Sequence, residues 1–441
     1  MAILDGRGST IAFDMTQQTF LNFDSWSSAS SFTEGTRFEY SLGGVYLVQL
    51  FGTGFAGFGD PNPSPIAGTV SSVSIDIGSN ATTDITVTGL SVSAIEIFET
   101  QEIFYARLLS GNDTLYGATN FNSVLFGDFR NIFAGEGRIG GNDAMFGSAT
   151  NYTTLYGDAH SNRGLLFGGN DTLSGGGRMA GDVDENFGVL YGGDDTIIGG
   201  ANIGSLTSGD VLINFSGGVV LGGDDVITLA PTATSSVLGD VWDTGATSTT
   251  IGGHDTLYGS GNGDALVGDV STLRGTLIGG TDTIRGLGGN DTLVGDAYQM
   301  NPGSLLYGGN DHLLGGDGAD QLFGELHSYA GGVILKGGND TLEGGAGADE
   351  LYGQQGDDTL VGDAGADILN GGDGFDTASY YYSFGTNISI QAGTAVDGTT
   401  GDGVGSTDNA VRHRAGGRLG LLPRHLFGRR GRRLFRRPRR Q

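Results

Sequence analysis

Hydrophobic positions come in ones and twos along most of this chain, and they recur at a steady interval. From residue 106 onward a Gly-Gly-x-Asp or near variant places Asp at 113, 143, 171, 195, 225, 255, 282, 311 and 340, a repeat of about 28 residues. A short apolar piece follows each Asp. Next comes an apolar residue with Gly-Asp, its Asp at 128, 158, 182, 210, 240, 269 and 296 and Glu325 next in line. An apolar pair such as Leu166-Phe167, Leu190-Tyr191 or Leu306-Tyr307 precedes the following Gly-Gly. Each unit therefore offers three short apolar segments separated by Gly/Asp turns, with no helical period of useful length. A unit with one row of apolar residues cannot bury it alone, so the units must stack.

Toward the end of the array the spacing tightens, and Asp340, Asp349, Asp358, Asp367 and Asp376 follow one another nine residues apart. The same step joins Asp255 to Asp264, Asp282 to Asp291 and Asp311 to Asp320. Gly-Gly-x-Gly-x-Asp reads as a turn and the x-Leu-x after it as a very short strand, whose single inward Leu or Ile fills a thin core. The expectation is an all-β protein, a parallel β-solenoid of Gly/Asp-rich repeats with a small N-terminal β-rich domain. Three segments in about 28 residues do not divide into two-strand coils of eighteen. Either the coils of 106–335 are longer, with looped insertions, or successive units alternate edges.

The first stretch, 1–105, has a different texture. Phe13, Phe20, Phe23, Trp26, Phe32, Phe38, Tyr40 and Tyr46 crowd its first half, and Val73, Ile75 and Ile77 alternate with polar residues. This reads as a β-rich capping domain with an aromatic core. Ser93-x-x-Glu96 is a candidate helix cap, and Asp60-Pro61-Asn62-Pro63-Ser64-Pro65 a loop. The remaining divisions are 106–335 for the long repeats, 336–380 for the nine-residue repeats, 381–411 for a flank and 412–441 for a tail.

Composition sharpens this picture. The 441 residues include 86 Gly but only 7 Pro, which excludes collagen, and no Cys, which excludes disulfide scaffolds and thiolate metal sites. Ten bases against 50 acids leave residues 1–411 at −40, while 412–441 hold twelve Arg and no acid. So acidic a body repels nucleic acid and anionic membranes and attracts cations. No apolar run is long enough for a membrane span, and Met1 to Met15 lack the charged-then-apolar order of an export signal.

In stacked coils about 4.8 Å apart, equivalent Asp residues form a column of like charge. Each pair costs roughly 1 kcal/mol in water and several at a protein surface. A cation between turns would relieve that cost. With only carboxylates and turn carbonyls on offer, the donor set suits Ca²⁺ better than Zn²⁺, Cu²⁺ or Mg²⁺. The alternative is a metal-free solenoid in which Asp merely favours the turn.

These residues resemble the hemolysin-type calcium-binding, or RTX, repeats, with consensus Gly-Gly-x-Gly-x-Asp-x-(aliphatic)-x. Gly315–Phe323 and Gly344–Tyr352 match it, and Gly353–Val361, Gly362–Asn370, Gly371–Ser379 and Gly286–Val294 do so with small substitutions. The resemblance implies a parallel β-roll with several Ca²⁺ ions bound between turns two repeats apart. Asp340, Asp358 and Asp376 would line one edge, Asp349 and Asp367 the other. The implied metal site comprises Gly315, Gly316, Gly318, Asp320, Gly344, Gly345, Gly347, Gly353, Gly356, Gly362, Gly365, Gly371 and Gly374 with those five Asp, and Asp282, Asp291 and Asp311. The resemblance also implies a bacterial protein exported by type I secretion machinery and acting outside the cell on an unnamed surface or matrix partner.

No catalytic motif is present. There is no His-Glu-x-x-His or Gly-x-Ser-x-Gly, and the only Lys, Lys336, is not in a P-loop. His160, His254, His312 and His327 sit at repeat turns or loops without a partner at metal spacing. The expected function is a secreted Ca²⁺-binding structural protein of surface, matrix or adhesion type. The alternative is the non-catalytic or targeting part of a hydrolase or polysaccharide-modifying RTX enzyme. The tail's Arg429-Arg430, Arg432-Arg433, Arg436-Arg437 and Arg439-Arg440 invite a nucleic-acid reading, but its abrupt lack of acids points instead to a shifted reading frame from Asn409.

Overall fold

The computed structural model describes residues 111–378, except 117–122, 148–151, 176, 200–205, 232–235, 366 and 375, with strand segments between Ile3 and Ser93 and between Gly385 and Val411. The candidate cap at Ser93–Glu96, the Asp60–Pro65 loop, the side chains of the N-terminal aromatic cluster and the tail 412–441 lie outside the described residues.

Every unit of about 28 residues is one complete coil. Thr172–Ser174, Arg178–Ala180, Val183–Asn186 and Val189–Tyr191 form four sides, and Thr196–Ile198 opens the next coil. Equivalent residues stack in parallel: Leu173 on Ile197, Met179 on Thr207, Val183 on Val211 and Leu190 on Val220. Four parallel sheets result, the third and fourth of them 8-stranded. The upstream coils are thus longer than a two-strand coil, and their extra length is strand rather than looped insertion.

The expectation of three strands per unit needs correcting to four. The missed side is the segment directly after Gly-Asp, such as Val183–Asn186 or Val211–Asn214. Its last inward position is polar. Buried Asn162, Asn186 and Asn214 stack there, the Asn162 Nδ2 donating to Asn186 Oδ1 at 2.9 Å and Asn186 Nδ2 to Asn214 Oδ1 at 3.1 Å. A side-chain amide ladder meets its own hydrogen-bonding needs from coil to coil, so this strand forms with less apolar content than its neighbours.

The last four-sided coil consists of His312–Asp317, Gln321–Phe323, Leu326–Tyr329 and Ile334–Lys336. Beyond it the third and fourth sides disappear. Thr341–Gly347 and Glu350–Tyr352 form a two-sided coil, on which Thr359–Gly365 and Ile368–Asn370 stack, Leu342 against Leu360 and Leu351 against Leu369.

In cross-section a four-sided coil has two apolar lobes. One is lined by the first and second strands, with inward Leu173, Ile197, Leu257 and Leu313 opposed to Met179, Val237, Leu266 and Leu322, all buried. The other joins the third and fourth strands through a cluster that includes Val183, Leu190, Val211, Val220, Val241 and Leu277. Between the lobes lie the Gly-Asp corner and the Gly-Gly-x-Asp corner. Outward-pointing Leu238, Val267 and Val294 pack with Trp242, Tyr298 and Phe323 beside the Gly-Asp corner.

At the N-terminal end, Ile3–Asp5 pairs in parallel with Thr114–Tyr116 and antiparallel with Ile85–Ser93, the last strand of an antiparallel series formed by Ala29–Thr33, Gly35–Leu42, Tyr46–Ala56 and Ala67–Ile77. At the other end Asp408–Val411 pairs in parallel with Ile368–Asn370. No described residue is in a helix.

Candidate metal centre

Three ladders of carboxylates run along the solenoid. The first consists of the Asp of every Gly-Gly-x-Asp corner. Each takes the backbone N–H of its counterpart one coil back onto Oδ1: Asp143 donates to Asp171 at 2.6 Å, Asp195 to Asp225 at 2.7 Å, Asp255 to Asp282 at 2.8 Å and Asp311 to Asp340 at 2.8 Å. The ladder crosses the change in coil type without a break, Asp340 donating to Asp358 at 2.9 Å and Asp358 to Asp376 at 3.2 Å. The second ladder occupies the opposite edge: Asp264 donates to Asp291 at 2.8 Å, Asp291 to Asp320 at 2.8 Å, Asp320 to Asp349 at 2.9 Å and Asp349 to Asp367 at 3.0 Å. The structure therefore brings together the expected set Asp282, Asp311, Asp340, Asp358 and Asp376 on one edge, and Asp291, Asp320, Asp349 and Asp367 on the other.

The expected glycines frame these carboxylates. A Cβ at Gly315, Gly344, Gly353, Gly362 or Gly371 would run into the Asp five residues on, namely Asp320, Asp349, Asp358, Asp367 and Asp376. The turns at Gly316, Gly318, Gly345, Gly347, Gly356 and Gly374 have positive φ. Gly365, in line with these, would place a Cβ against the Gly347 carbonyl. So the turn glycines hold carbonyls and carboxylates close to one another.

Sequence reasoning recognised the third ladder as a repeat and left it out of the site. It contains Asp128, Asp158, Asp182, Asp210, Asp240, Asp269, Asp296 and Glu325, every one with no solvent exposure. Each reaches across the coil to the second Gly of the next Gly-Gly-x-Asp corner: Gly141 N–H donates to Asp128 Oδ2 at 2.6 Å, Gly253 to Asp240 Oδ1 at 3.0 Å, Gly309 to Asp296 Oδ1 at 2.7 Å and Gly338 to Glu325 Oε1 at 3.0 Å. The available signal was the invariable Gly before each of these acids. Its Cβ would meet a first-ladder Asp, as Gly181 would meet Asp195 and Gly209 would meet Asp225.

Burial first, and neighbouring carboxylates second, push these acids far above their ordinary values, 3.8 for Asp and 4.5 for Glu. Asp143 rises to about 8 and Asp128 to about 10. Asp358 rises to about 8 through burial and the charges of Asp340 and Asp376, and Asp171, Asp195, Asp210, Asp225, Asp240 and Asp269 are all raised for the same kinds of reason. Glu325 is pushed up to about 11. So many buried like charges stay ionised only beside a compensating cation.

Among the described residues, the Arg ion pairs lie away from the ladders: Arg178 pairs with Asp184 and Arg274 with Asp243, neither a ladder residue. The histidines make contacts between coils instead of gathering at one point. His312 Nε2 lies 3.0 Å from Glu343 Oε1, His160 Nε2 3.5 Å from Asp184 Oδ2, His254 Nδ1 accepts the Thr281 N–H at 2.8 Å, and His327 stacks on Tyr298.

The ladder residues fit a hard cation. Among the described residues no three His, Cys, Asp or Glu side chains converge as a ready metal centre, so a bound ion draws on carboxylates together with peptide carbonyls. Unpartnered buried oxygens are present for it, including the Oδ2 atoms of Asp291, Asp311, Asp320, Asp340 and Asp358. An all-oxygen set of this kind matches Ca²⁺.

A family model of the RTX calcium-binding nonapeptide repeat matches residues 278–297, 307–326, 336–369 and 344–378. The unmatched intervals 298–306 and 327–335 fall on the third and fourth strands, which the nonapeptide consensus does not contain. No curated protein matches the chain. Between residues 278 and 378 the chain carries RTX calcium-binding repeats, built into an all-β parallel solenoid.

Proposed function

We propose that this chain is an extracellular structural protein of surface, matrix or adhesion type whose solenoid folds as it binds several Ca²⁺ ions. In this reading Asp340, Asp358 and Asp376 with Gly353, Gly356, Gly371 and Gly374 hold ions on one edge. Asp320, Asp349 and Asp367 with Gly344, Gly345, Gly347, Gly362 and Gly365 do so on the other. Residues 1–105 cap the array, and export uses type I secretion machinery. The observation that carries the reading is the pair of continuous buried carboxylate ladders within calcium-binding repeats.

The physical argument is a balance. Ordering each residue costs about 1 to 2 kcal/mol, and a core one or two side chains thick returns little in excess of that. Each ion that binds only folded turns adds about 2.7 kcal/mol at a hundredfold excess over its Kd. In low Ca²⁺ the chain stays extended and transportable, and at extracellular Ca²⁺ it locks.

The test is circular dichroism of the full chain titrated with Ca²⁺ after EDTA treatment, alongside a variant carrying Asp349→Ala, Asp358→Ala and Asp367→Ala. β-structure should appear with Ca²⁺, and the variant should need more of it. Full β-structure in EDTA, or an unmoved midpoint in the variant, would sink the coupling of binding to folding. Detection of the native protein only in the cytosol of its producing cells would sink the extracellular part.

A further inference from the structure

We propose that the outer face of the fourth sheet is a self-association surface, on which a second copy of this chain packs with its solenoid running antiparallel. The inference goes beyond the calcium reading, since it needs the folded coils and no particular ion site.

The fourth strands run from Gly137–Ile139 to Ile334–Lys336 as one 8-stranded parallel sheet. Their middle residues, such as Leu190 and Val220, point into the core, so the first and third positions point out. Ile139, Phe167, Tyr191, Leu221, Ile251, Ile278 and Tyr307 lie in register along the third position. Their exposure runs from 37% at Tyr307 to 76% at Ile139, with Leu221 half-buried. From Leu165 to Leu305 the first position is Leu, Val or Thr throughout. The result is a straight apolar stripe, roughly 34 Å long at about 4.8 Å per coil.

Charge selects the occupant. Residues 1–411 sum to −40, yet neither outward column of this sheet holds an acid. Two copies can therefore meet here without bringing carboxylates together. Spacing selects it too, because side-chain ridges recur at about 4.8 Å and another solenoid of this chain presents ridges at the same interval. A two-fold axis lying between the faces makes the contact self-complementary and closes it at two copies. Lys336 sets the direction. It is the single charge among the outward positions, held at one end with its Nζ 4.8 Å from the centre of the Tyr307 ring. Parallel solenoids would set two Lys336 ammonium groups side by side, whereas antiparallel ones place each at the partner's Ile139 end, where Glu136 supplies an acid.

The chain has no Cys, so a single introduced Cys can form a disulfide only between copies. Ile251 stands beside the middle of the stripe, where an antiparallel pair brings the same residue of both copies close together. At saturating Ca²⁺, sedimentation of the full chain should show a dimer that dissociates on dilution. The Ile251→Cys chain should oxidise to a covalent dimer. Gln299→Cys, on the exposed side of a third strand, and Ile139→Cys, at the end of the stripe, should not. Ile251→Glu with Ile278→Glu should leave the circular dichroism unchanged and sediment as a monomer.

A parent chain that stays monomeric throughout would overturn the surface and leave the stripe to another segment of the chain or to a different partner. A dimer that survives both Glu substitutions, or that crosslinks at Gln299 and not at Ile251, would place self-association elsewhere and overturn it as well. A covalent dimer through Ile139 would overturn the antiparallel arrangement. Should the Glu variant lose β-structure, the Cys chains decide by themselves. A solenoid that folds and dimerises without Ca²⁺ would count against the calcium reading and leave this surface standing.

Discussion

Asp143 shows what stacking imposes on a single carboxylate. It is 2% exposed, holds the Asp113 N–H with one oxygen at 2.6 Å, and is pushed up to about 8, mainly by burial and then by neighbouring carboxylates. Burial alone raises Asp340 to about 7, and burial with neighbouring carboxylates raises Asp358 to about 8. Unfolded, each titrates near its ordinary 3.8, so between about pH 4 and 8 the folded chain binds more protons than the unfolded one. Stability of the Ca²⁺-free chain is therefore greatest below about pH 4 and lost as pH rises through 7 and 8. Circular dichroism in EDTA should show more β-structure at acidic than at alkaline pH, and saturating Ca²⁺ should reverse that order. β-structure in EDTA that increases with pH would show that the ladders are not the buried acids described.

A second residue-scale effect lies at Leu287, which has φ of 73° where its coil neighbours in register, Gly316 and then Gly345, have 113° and 103°. A left-handed non-Gly residue costs about 1 to 2 kcal/mol, and Gly returns about 0.5 to 1 of that through its freer unfolded state. Leu287 is half exposed, so little burial is lost. Leu287→Gly should raise stability by a few tenths to about 1 kcal/mol in Ca²⁺-saturated melts, whereas Leu287→Ala should not. A drop in Tm for the Gly variant would contradict the strain.

At the scale of the element, the third strand stands on its amide ladder. Asn186 donates to Asn214 and to the Val219 carbonyl at 3.1 Å each, and accepts from Asn162 and from the Gly188 N–H. Asn186→Ala would take the donor from the buried Asn214 Oδ1, leave Asn162 Nδ2 only the Val189 carbonyl, and open a cavity. Its expected cost is about 2 kcal/mol or more, read from urea unfolding at saturating Ca²⁺. An unchanged midpoint would mean that the apolar lobe alone holds this strand. Aromatic stacking between coils, as in Phe167 on Tyr191 at 4.8 Å and Phe187 on Phe215 at 4.1 Å, acts on the outside of the same lobe.

For the whole molecule, charge and topology meet. Residues 1–411 carry −40, and the acids that matter most are stacked along the interior. Ca²⁺ removal should therefore expand the entire array rather than fray one end. In small-angle scattering the full chain in EDTA should contract when Ca²⁺ is added and should not when the same concentration of Mg²⁺ is added, because Mg²⁺ gives up its waters reluctantly. Contraction with either ion would indicate simple charge screening.

The amino-acid sequence alone determined the repeat, the Gly/Asp turns, the parallel stacking and both carboxylate edges of the nonapeptide stretch. In Asp340, Asp349, Asp358, Asp367 and Asp376 the turn and the next strand are complete within nine residues, so local spacing carries the register. Only the tertiary structure decided the four-sided coil and its third ladder. The third strand was hidden because asparagine ladders replace apolar residues on its inner face. The third ladder was hidden because an acid such as Asp240 meets Gly253 only after the chain has gone round the second lobe and come back. That meeting depends on how the strands close the coil, which no spacing along the chain expresses.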